Sequence, residues 1–340
     1  MTTFAYDEQL ASIPAAVADV LGRDGIPSLD PGRPIVFTGV GTSLHAASVA
    51  ADWVAQLASG RIRALAVDAH ELGAGQTPLT ARDQVVVISH RGYKRYPNAA
   101  LERARKLGCP TVAVVGLEAP EQEADWTMRT CASERAGTFS VSYEAALAAL
   151  ARIVCSAFPL EGGAFADSLS SLPDALAATL ELRPEPSLVE QVSACTAILI
   201  SGFGPDLATA REAALKIKEG AWLWTEATSP ELALHGTPAG YTQEMGAVVL
   251  EPATDDGGRS ALLVEVLREL GLRSLVTCGP DGSGAPLRFA TPPHPFLRPF
   301  LAILPFHLLT AELARLRGTD PDSLHGGRDP WTRVMTGIPL

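Results

Sequence analysis

Residues 35–43 read Ile-Val-Phe-Thr-Gly-Val-Gly-Thr-Ser, and residues 197–205 read Ala-Ile-Leu-Ile-Ser-Gly-Phe-Gly-Pro. Each is an apolar run rich in branched side chains that passes through a Gly-rich turn into a helical pattern. The helix covers Leu44–Leu57 after the first turn and about Asp206 to Trp224 after the second. Outward from the first motif, Arg63–Val67, Gln84–Ser89 and Thr111–Val115 read as further strands, with helical periodicity over Asn98–Leu107 and a long closing helix over Glu144–Ala157. Outward from the second, Ala247–Leu250, Ser274–Cys278 and Leu287–Ala290 read as strands. Ala261–Leu270 is helical, and Phe296–Arg317 is a final amphipathic helix interrupted at Pro305. Strands alternating with helices predict βαβ units, parallel sheets and right-handed crossovers. The repetition of strand, Gly-rich turn and helix predicts a duplicated α/β module whose halves need not bind the same thing.

The 340 residues suffice for two domains with a core each. The expected division is an N-terminal helical segment 1–34, a first domain 35–160, a linker with a helix 161–190, and a second domain 191–340. The linker is placed by Gly162, Gly163, Pro173, Pro184 and Pro186. With 27 basic against 38 acidic residues the net charge is −11, which disfavours a nucleic-acid partner. No run of 18–20 apolar residues stands out and the start MTTFAYDEQL lacks signal-peptide character, so neither membrane span nor export is expected. Cys109, Cys131, Cys155, Cys195 and Cys278 are scattered and never in CxxC spacing, as reduced thiols of a cytoplasmic protein would be. His70, His294, His307 and His325 show no ligand spacing, and no metal or other cofactor is expected.

Gly41, Thr42 and Ser43 stand where a strand feeds a helix. N–H groups and the positive helix end there favour an anion, to which two hydroxyls can add donors. A tight turn with Ser43 merely capping the helix is the other reading. The spacing departs from GxGxxG, which favours a single phosphate over a dinucleotide. The turn after the third strand, Ser89-His90-Arg91-Gly92-Tyr93-Lys94, lies at the same sheet edge, where open α/β sheets bind ligands. Its hydroxyl and two cations suit a phosphate or carboxylate, although a solvated basic loop continued by Arg95 is the plainer alternative.

In the second half, Glu212, Lys216 and Glu219 fall at i, i+4 and i+7 on one helical face, and His235-Gly236 follows in a loop. A surface salt-bridge ladder is the ordinary fate of such a stripe. The apolar neighbours Ala213, Ala214, Leu215, Ile217, Ala221 and Trp222 favour a stripe that faces a cleft instead. A carboxylate, an amine and an imidazole together can move protons about a sugar carbonyl. Trp222 and Trp224 are expected in the core or cleft wall, and Glu118–Asp125 as a solvated loop.

Taken in order, GVGTS, the Ser89–Lys94 loop, EAALKIKE, ELALHG, LPFHLL, GTDPD and TRVMTG resemble the sugar isomerase (SIS) domain pair, over about positions 5–340. The likeness is to the isomerase half of glucosamine-6-phosphate synthase and to fructosamine-6-phosphate deglycases. It implies two tandem flavodoxin-like or Rossmann-like parallel-sheet domains and a homodimer with a shared active site. By the same resemblance Thr42, Ser43 and Ser89 would hold a substrate phosphate and Glu219 would shuttle a proton between C1 and C2. Lys216 would assist at the sugar hydroxyls, and His235 would open the ring from the other subunit.

Four departures bear on the chemistry. No glutaminase domain or nearby cysteine is expected at the start. Arg91 and Lys94 replace the second serine and the threonine of the family's Ser-Gln-Ser-Gly-x-Thr loop. The family's Schiff-base lysine has its counterpart near Arg333, and no lysine follows Lys218. An arginine stays protonated and cannot serve as that amine. His235-Gly236-Thr237-Pro238 stands in place of His-Gly-Pro. The expectation is enediol or enolamine proton transfer on a phosphorylated ketosamine or amino sugar, as deglycase, deaminase or aldose–ketose isomerase. A non-catalytic sugar-phosphate sensor and an ammonia-dependent aminotransferase are the alternatives.

Overall fold

The computed structural model describes residues 2–325 and 328–338. The chain divides into two compact units, each around one sheet. The first-sheet unit takes residues 12–134 and 139–173 and the chain end from 328. The second-sheet unit takes 2–11, 135–138 and 174–325. Helix α1 (Ala5–Gly22) therefore gives its first turns to one unit and the rest to the other.

In the first-sheet unit, β1 (Ile35–Gly39), β2 (Ala64–Asp68), β3 (Gln84–Ile88), β4 (Thr111–Val115) and β5 (Trp126–Arg129) form an all-parallel sheet ordered β2-β1-β3-β4-β5. Helices α2 (Thr42–Leu57), α3 (Ala69–Gly73), α4 (Arg95–Lys106), α5 (Val141–Ala157) and α6 (Gly163–Ser168) follow in chain order. The central strands β1, β3 and β4 are buried at every residue, as continuous β-branched runs covered on both faces should be. One core cluster gathers Val36, Val85 and Val87 of the sheet with Leu72, Ala100, Leu101 and Ala104 of α3 and α4. Each fully buried Val or Leu there contributes about 1.5–3 kcal/mol.

The second-sheet unit repeats the plan. Its strands β6 (Ile198–Ser201), β7 (Thr225–Thr228), β8 (Gly246–Leu250), β9 (Ser274–Pro280) and β10 (Leu287–Phe289) run parallel in the order β7-β6-β8-β9-β10. Both sheets thus carry the 2-1-3-4-5 order of the flavodoxin-like fold. The helices are α7 (Leu172–Leu180), α8 (Pro186–Ser193), α9 (Asp206–Ala221), α10 (Pro230–Leu234), α11 (Arg259–Glu269), α12 (Arg298–Ala302) and α13 (Leu304–Arg317). A last helix, α14 (Trp331–Thr336), belongs to the first-sheet unit.

The two founding turns are built alike. A Cβ on Gly39 would lie 2.5 Å from Ser43 Cβ, and one on Gly202 would lie 2.4 Å from the Asp206 carbonyl oxygen. In both units the helix is packed onto the strand end so closely that only glycine fits.

Several expectations are corrected. Strands β5 and β7 were not foreseen. Helix α9 stops at Ala221, because Trp222 adopts a left-handed conformation (φ 50°), and Trp224 is 69% exposed rather than in the core. Contrary to the expectation from sequence, the stretch Pro295–Arg317 is long and apolar enough to cross a membrane by length and composition. With 89% of its apolar window buried, it is a core element of the second-sheet unit. The break at Pro305 separates α12 from α13 as expected.

Candidate functional site

Helix α9 follows β6, and its stripe points inward. Glu212 and Lys216 are essentially inaccessible, while the Glu219 side chain is 24% exposed. Lys216 Nζ donates to Glu219 Oε2 at 2.6 Å and lies 3.5 Å from Glu212 Oε1. The surface-ladder reading therefore fails, since solvent does not screen this triad. Burying these charges costs several kcal/mol per ion, offset here by an ammonium set between two carboxylates. Only Glu219 reaches outward, so the triad offers a substrate one carboxylate backed by a fixed cation.

Behind the triad stands His307 of α13, fully buried, with Nδ1 2.6 Å from the Tyr6 hydroxyl. Burial pushes this imidazole down to about 3. The charge of Glu212 pulls it up and that of Lys216 pushes it further down. Neither Tyr6 nor His307 was singled out as part of a site from the sequence. The available sign was a lone imidazole within the apolar run Leu304–Leu309.

His235 ends α10 and is exposed, followed by Gly236 at φ 80°. The Thr237 hydroxyl donates to the Leu232 carbonyl at 2.7 Å and ties the loop back beneath it. Among the described residues the His235 ring makes no hydrogen bond or ion pair, so the structure does not join it to the triad within one chain.

In the first-sheet unit, Gly41 is the N-cap of α2, and Thr42 and Ser43 occupy the helix's first turn, half-buried. No side chain caps this helix, so Ser43 does not play the capping part considered from the sequence. Ser89, 6% exposed, directly follows β3 and receives the Gly92 N–H at its carbonyl, closing the turn. Since β1 and β3 are neighbours and the chain departs from them to opposite sides, both turns stand at the topological switch point. His90 turns inward, edge-on to Phe139 with ring centroids 5.8 Å apart. Burial lowers its pKa, against the pull of Glu134 and Glu118. Its place is that of a wedge under the loop rather than an open ligand. Arg91 is exposed with its guanidinium 5.3 Å from the Phe139 ring centre. Lys94 is the N-cap of α4, its pKa lowered by burial and by Arg91. No acidic residue stands in the first turn of α4 to balance these cations.

The equivalent turn of the second-sheet unit is already filled. Asp206, buried in the first turn of α9, accepts from Arg298 Nε at 2.8 and 3.1 Å, and Arg298 also donates to the Glu251 carbonyl. Burial raises the Asp206 pKa, against the pull of Arg298. A resident carboxylate there excludes an incoming anion, so the two like-built turns do different work. A cleft lined by Arg105, Gly108, Cys109, Pro110, Asp125 and Trp126 opens at the amino ends of β4 and β5, the wrong edge for the chemistry above. All five cysteines are free and buried, and no metal-holding cluster occurs among the described residues. Arg333 is exposed on α14.

Residues 29–154, all but a few of which lie in the first-sheet unit, match the model of the SIS domain. The second sheet repeats that strand order, and the α/β fold of two five-stranded parallel sheets with flanking helices agrees with two tandem SIS domains. A glutamine–fructose-6-phosphate aminotransferase (isomerizing) of Symbiobacterium thermophilum is 27% identical over 319 residues, covering 85% of this chain and 50% of the relative. The chain thus spans about half the length of the curated relatives it matches. Among solved structures, the C-terminal domain of glucosamine-fructose-6-phosphate aminotransferase from Francisella tularensis superposes with TM-score 0.82 at 20% identity, over 94% of this chain and 98% of that one. Glucosamine-6-phosphate deaminase from Thermotoga maritima does so with TM-score 0.74 at 18% identity, over 94% of this chain and 95% of that one.

Proposed function

We propose that the chain is a phosphosugar enzyme acting on a phosphorylated ketosamine or amino sugar through an enediol or enolamine. The observation that carries the reading is the triad. Glu219 is its single solvent-reachable member and is held by a lysine that is only 1% exposed. In this reaction Glu219 takes a proton from the carbon beside the carbonyl or iminium and returns it to the neighbouring carbon, with no net redox change. Lys216 fixes the carboxylate and stabilises charge developing on the sugar oxygens. Gly41, Thr42, Ser43 and Ser89 hold the phosphate at the first-sheet switch point, with Arg91 and Lys94 adding positive charge. His235 opens the sugar ring, and its exposure in one chain accords with service to a homodimer whose active site is shared. The names of the three relatives reported above, which concern fructose 6-phosphate or glucosamine 6-phosphate, support the substrate class.

With no lysine beyond position 218, a Schiff base from the chain's end is not available to the described tail. Deglycation, deamination or aldose–ketose isomerisation therefore fits better than amination. The test is turnover of fructosamine 6-phosphate, glucosamine 6-phosphate and fructose 6-phosphate by the purified chain in deuterated water, with and without ammonium. Deuterium entering C1 or C2, abolished in Glu219→Gln, supports the proposal. Tight binding without turnover or exchange replaces it with the sensor reading, and product formed only with ammonium replaces it with the aminotransferase reading.

A further inference from the structure

Helices α9 and α13 are fixed together at two levels. At one end Asp206 pairs with Arg298, the first residue of α12, which leads directly into α13. At the other, a Cβ on Gly220 would lie 2.5 Å from Thr310 Cγ2. The two stretches therefore run alongside each other in the same direction, and His307, one turn before Thr310, stands level with Lys216, one turn before Gly220. The electrostatic influence of Glu212 and Lys216 on His307 is consistent with that level. Tyr6 reaches the other side of the ring from α1, 301 positions away in sequence.

Among the described residues, the buried His307 Nε2 has no hydrogen-bond partner. Such an orphan carries a standing desolvation cost that an apolar residue of similar shape would avoid. The Tyr6 hydroxyl accounts for Nδ1, and packing gives no reason for a second ring nitrogen here. A third charge beside the triad would be costlier still, so the ring is neutral and the tautomer is the remaining variable. A Tyr6 hydroxyl donating to Nδ1 leaves the proton on Nε2, and the Glu212 carboxylate, whose charge reaches this ring, favours that N–H.

We propose that Tyr6 and His307 are positioning residues of the Glu212–Lys216–Glu219 triad, the tyrosine hydroxyl holding the neutral imidazole as its Nε2–H tautomer beside Glu212 and Lys216. The consequence is a triad braced from behind, so that Lys216 stays directed at Glu219. The catalytic meaning of that brace rests on the proposed function, while the brace itself does not.

The test uses the full chain carrying labelled histidine and lysine. Nitrogen shifts of His307 report the tautomer, and the four lysines of the sequence give a side-chain spectrum sparse enough to isolate Lys216. Protonated Nε2 with bare Nδ1 is expected in the wild type. In Tyr6→Phe the Lys216 signal should move while those of Lys94 and Lys106 stay, with the fold intact. With fructosamine 6-phosphate, Tyr6→Phe and His307→Leu should lower kcat about tenfold, the scale of one hydrogen bond's net contribution, at little change in KM. His307→Gln, which keeps an N–H donor at the same reach, should recover most of it. An Nδ1–H tautomer, a Lys216 signal unmoved by Tyr6→Phe, or variants that lose melting temperature but neither kcat nor the Lys216 shift would overturn the brace. If the wild type turns over no sugar phosphate, the proposed function fails and the spectra still decide this point.

Discussion

The ammonium of Lys216 lies 2.6 Å from one oxygen of Glu219, and the two differ sharply in access: the lysine is 1% exposed and the glutamate 24%. One member is anchored and the other is presented. The first prediction follows from the anchored side. Removing the lysine leaves Glu212 buried without its counter-ion, and breaking a buried pair from one side costs about 3–5 kcal/mol. Lys216→Met should lose that much by urea denaturation, and Lys216→Met with Glu212→Leu should regain most of it. A single variant within about 1 kcal/mol of wild type would mean the triad is not electrostatically sealed.

The presented side predicts the opposite separation. Glu219→Gln keeps the shape and a hydrogen-bonding head, so the melting temperature should shift by only a few degrees. Proton transfer by a positioned side chain contributes about 10²–10⁴-fold, and turnover should fall by that range. A variant that unfolds, or that keeps full turnover, would contradict the assignment.

Acid sensitivity has a specific source. Burial holds His307 at about 3, below the ordinary imidazole value of 6.5. The unfolded chain therefore takes up a proton that the folded one refuses. Stability is full above about pH 6.5 and declines as the pH falls towards 3, at up to about 1.4 kcal/mol per pH unit from this group. The hydroxyl that meets the ring is that of Tyr6, and the charges that act on it are those of Glu212 and Lys216. In His307→Gln the slope of unfolding free energy against pH in this window should drop by up to one proton. An unchanged slope would locate acid sensitivity elsewhere.

Close packing at the founding turns gives a fourth expectation. Gly39→Ala places a methyl 2.5 Å from Ser43 Cβ and 2.7 Å from its backbone carbon, so the strand end and helix must part. Overpacking of this kind costs about 1–3 kcal/mol, and binding of sugar phosphates at this turn should weaken with it. Equal stability of Gly39→Ala and wild type in thermal unfolding would rule out the close approach.

What the sequence made legible follows burial. Strands β1, β3, β4, β6 and β8 are wholly buried and stood out as unbroken apolar runs. Strands β5 and β7, WTMR and TEAT, lie at sheet edges with partly exposed residues, and nothing in their composition separates them from loop. The end of α9 was misplaced because a left-handed terminus normally announces itself by glycine, and here a tryptophan occupies it. The triad was readable because its members share one helix. Tyr6 and His307 were not, since only tertiary packing brings positions so remote in sequence within 2.6 Å.

The interleaving of the chain sets a rule for anyone who would divide it. A fragment beginning at residue 174 would hold the second sheet, the triad and His307, yet would leave behind residues 2–11 and with them the hydroxyl that meets the imidazole. The opening helix is in this sense a donated part, and gene dissection at the midpoint would yield pieces that each lack something only the other carries.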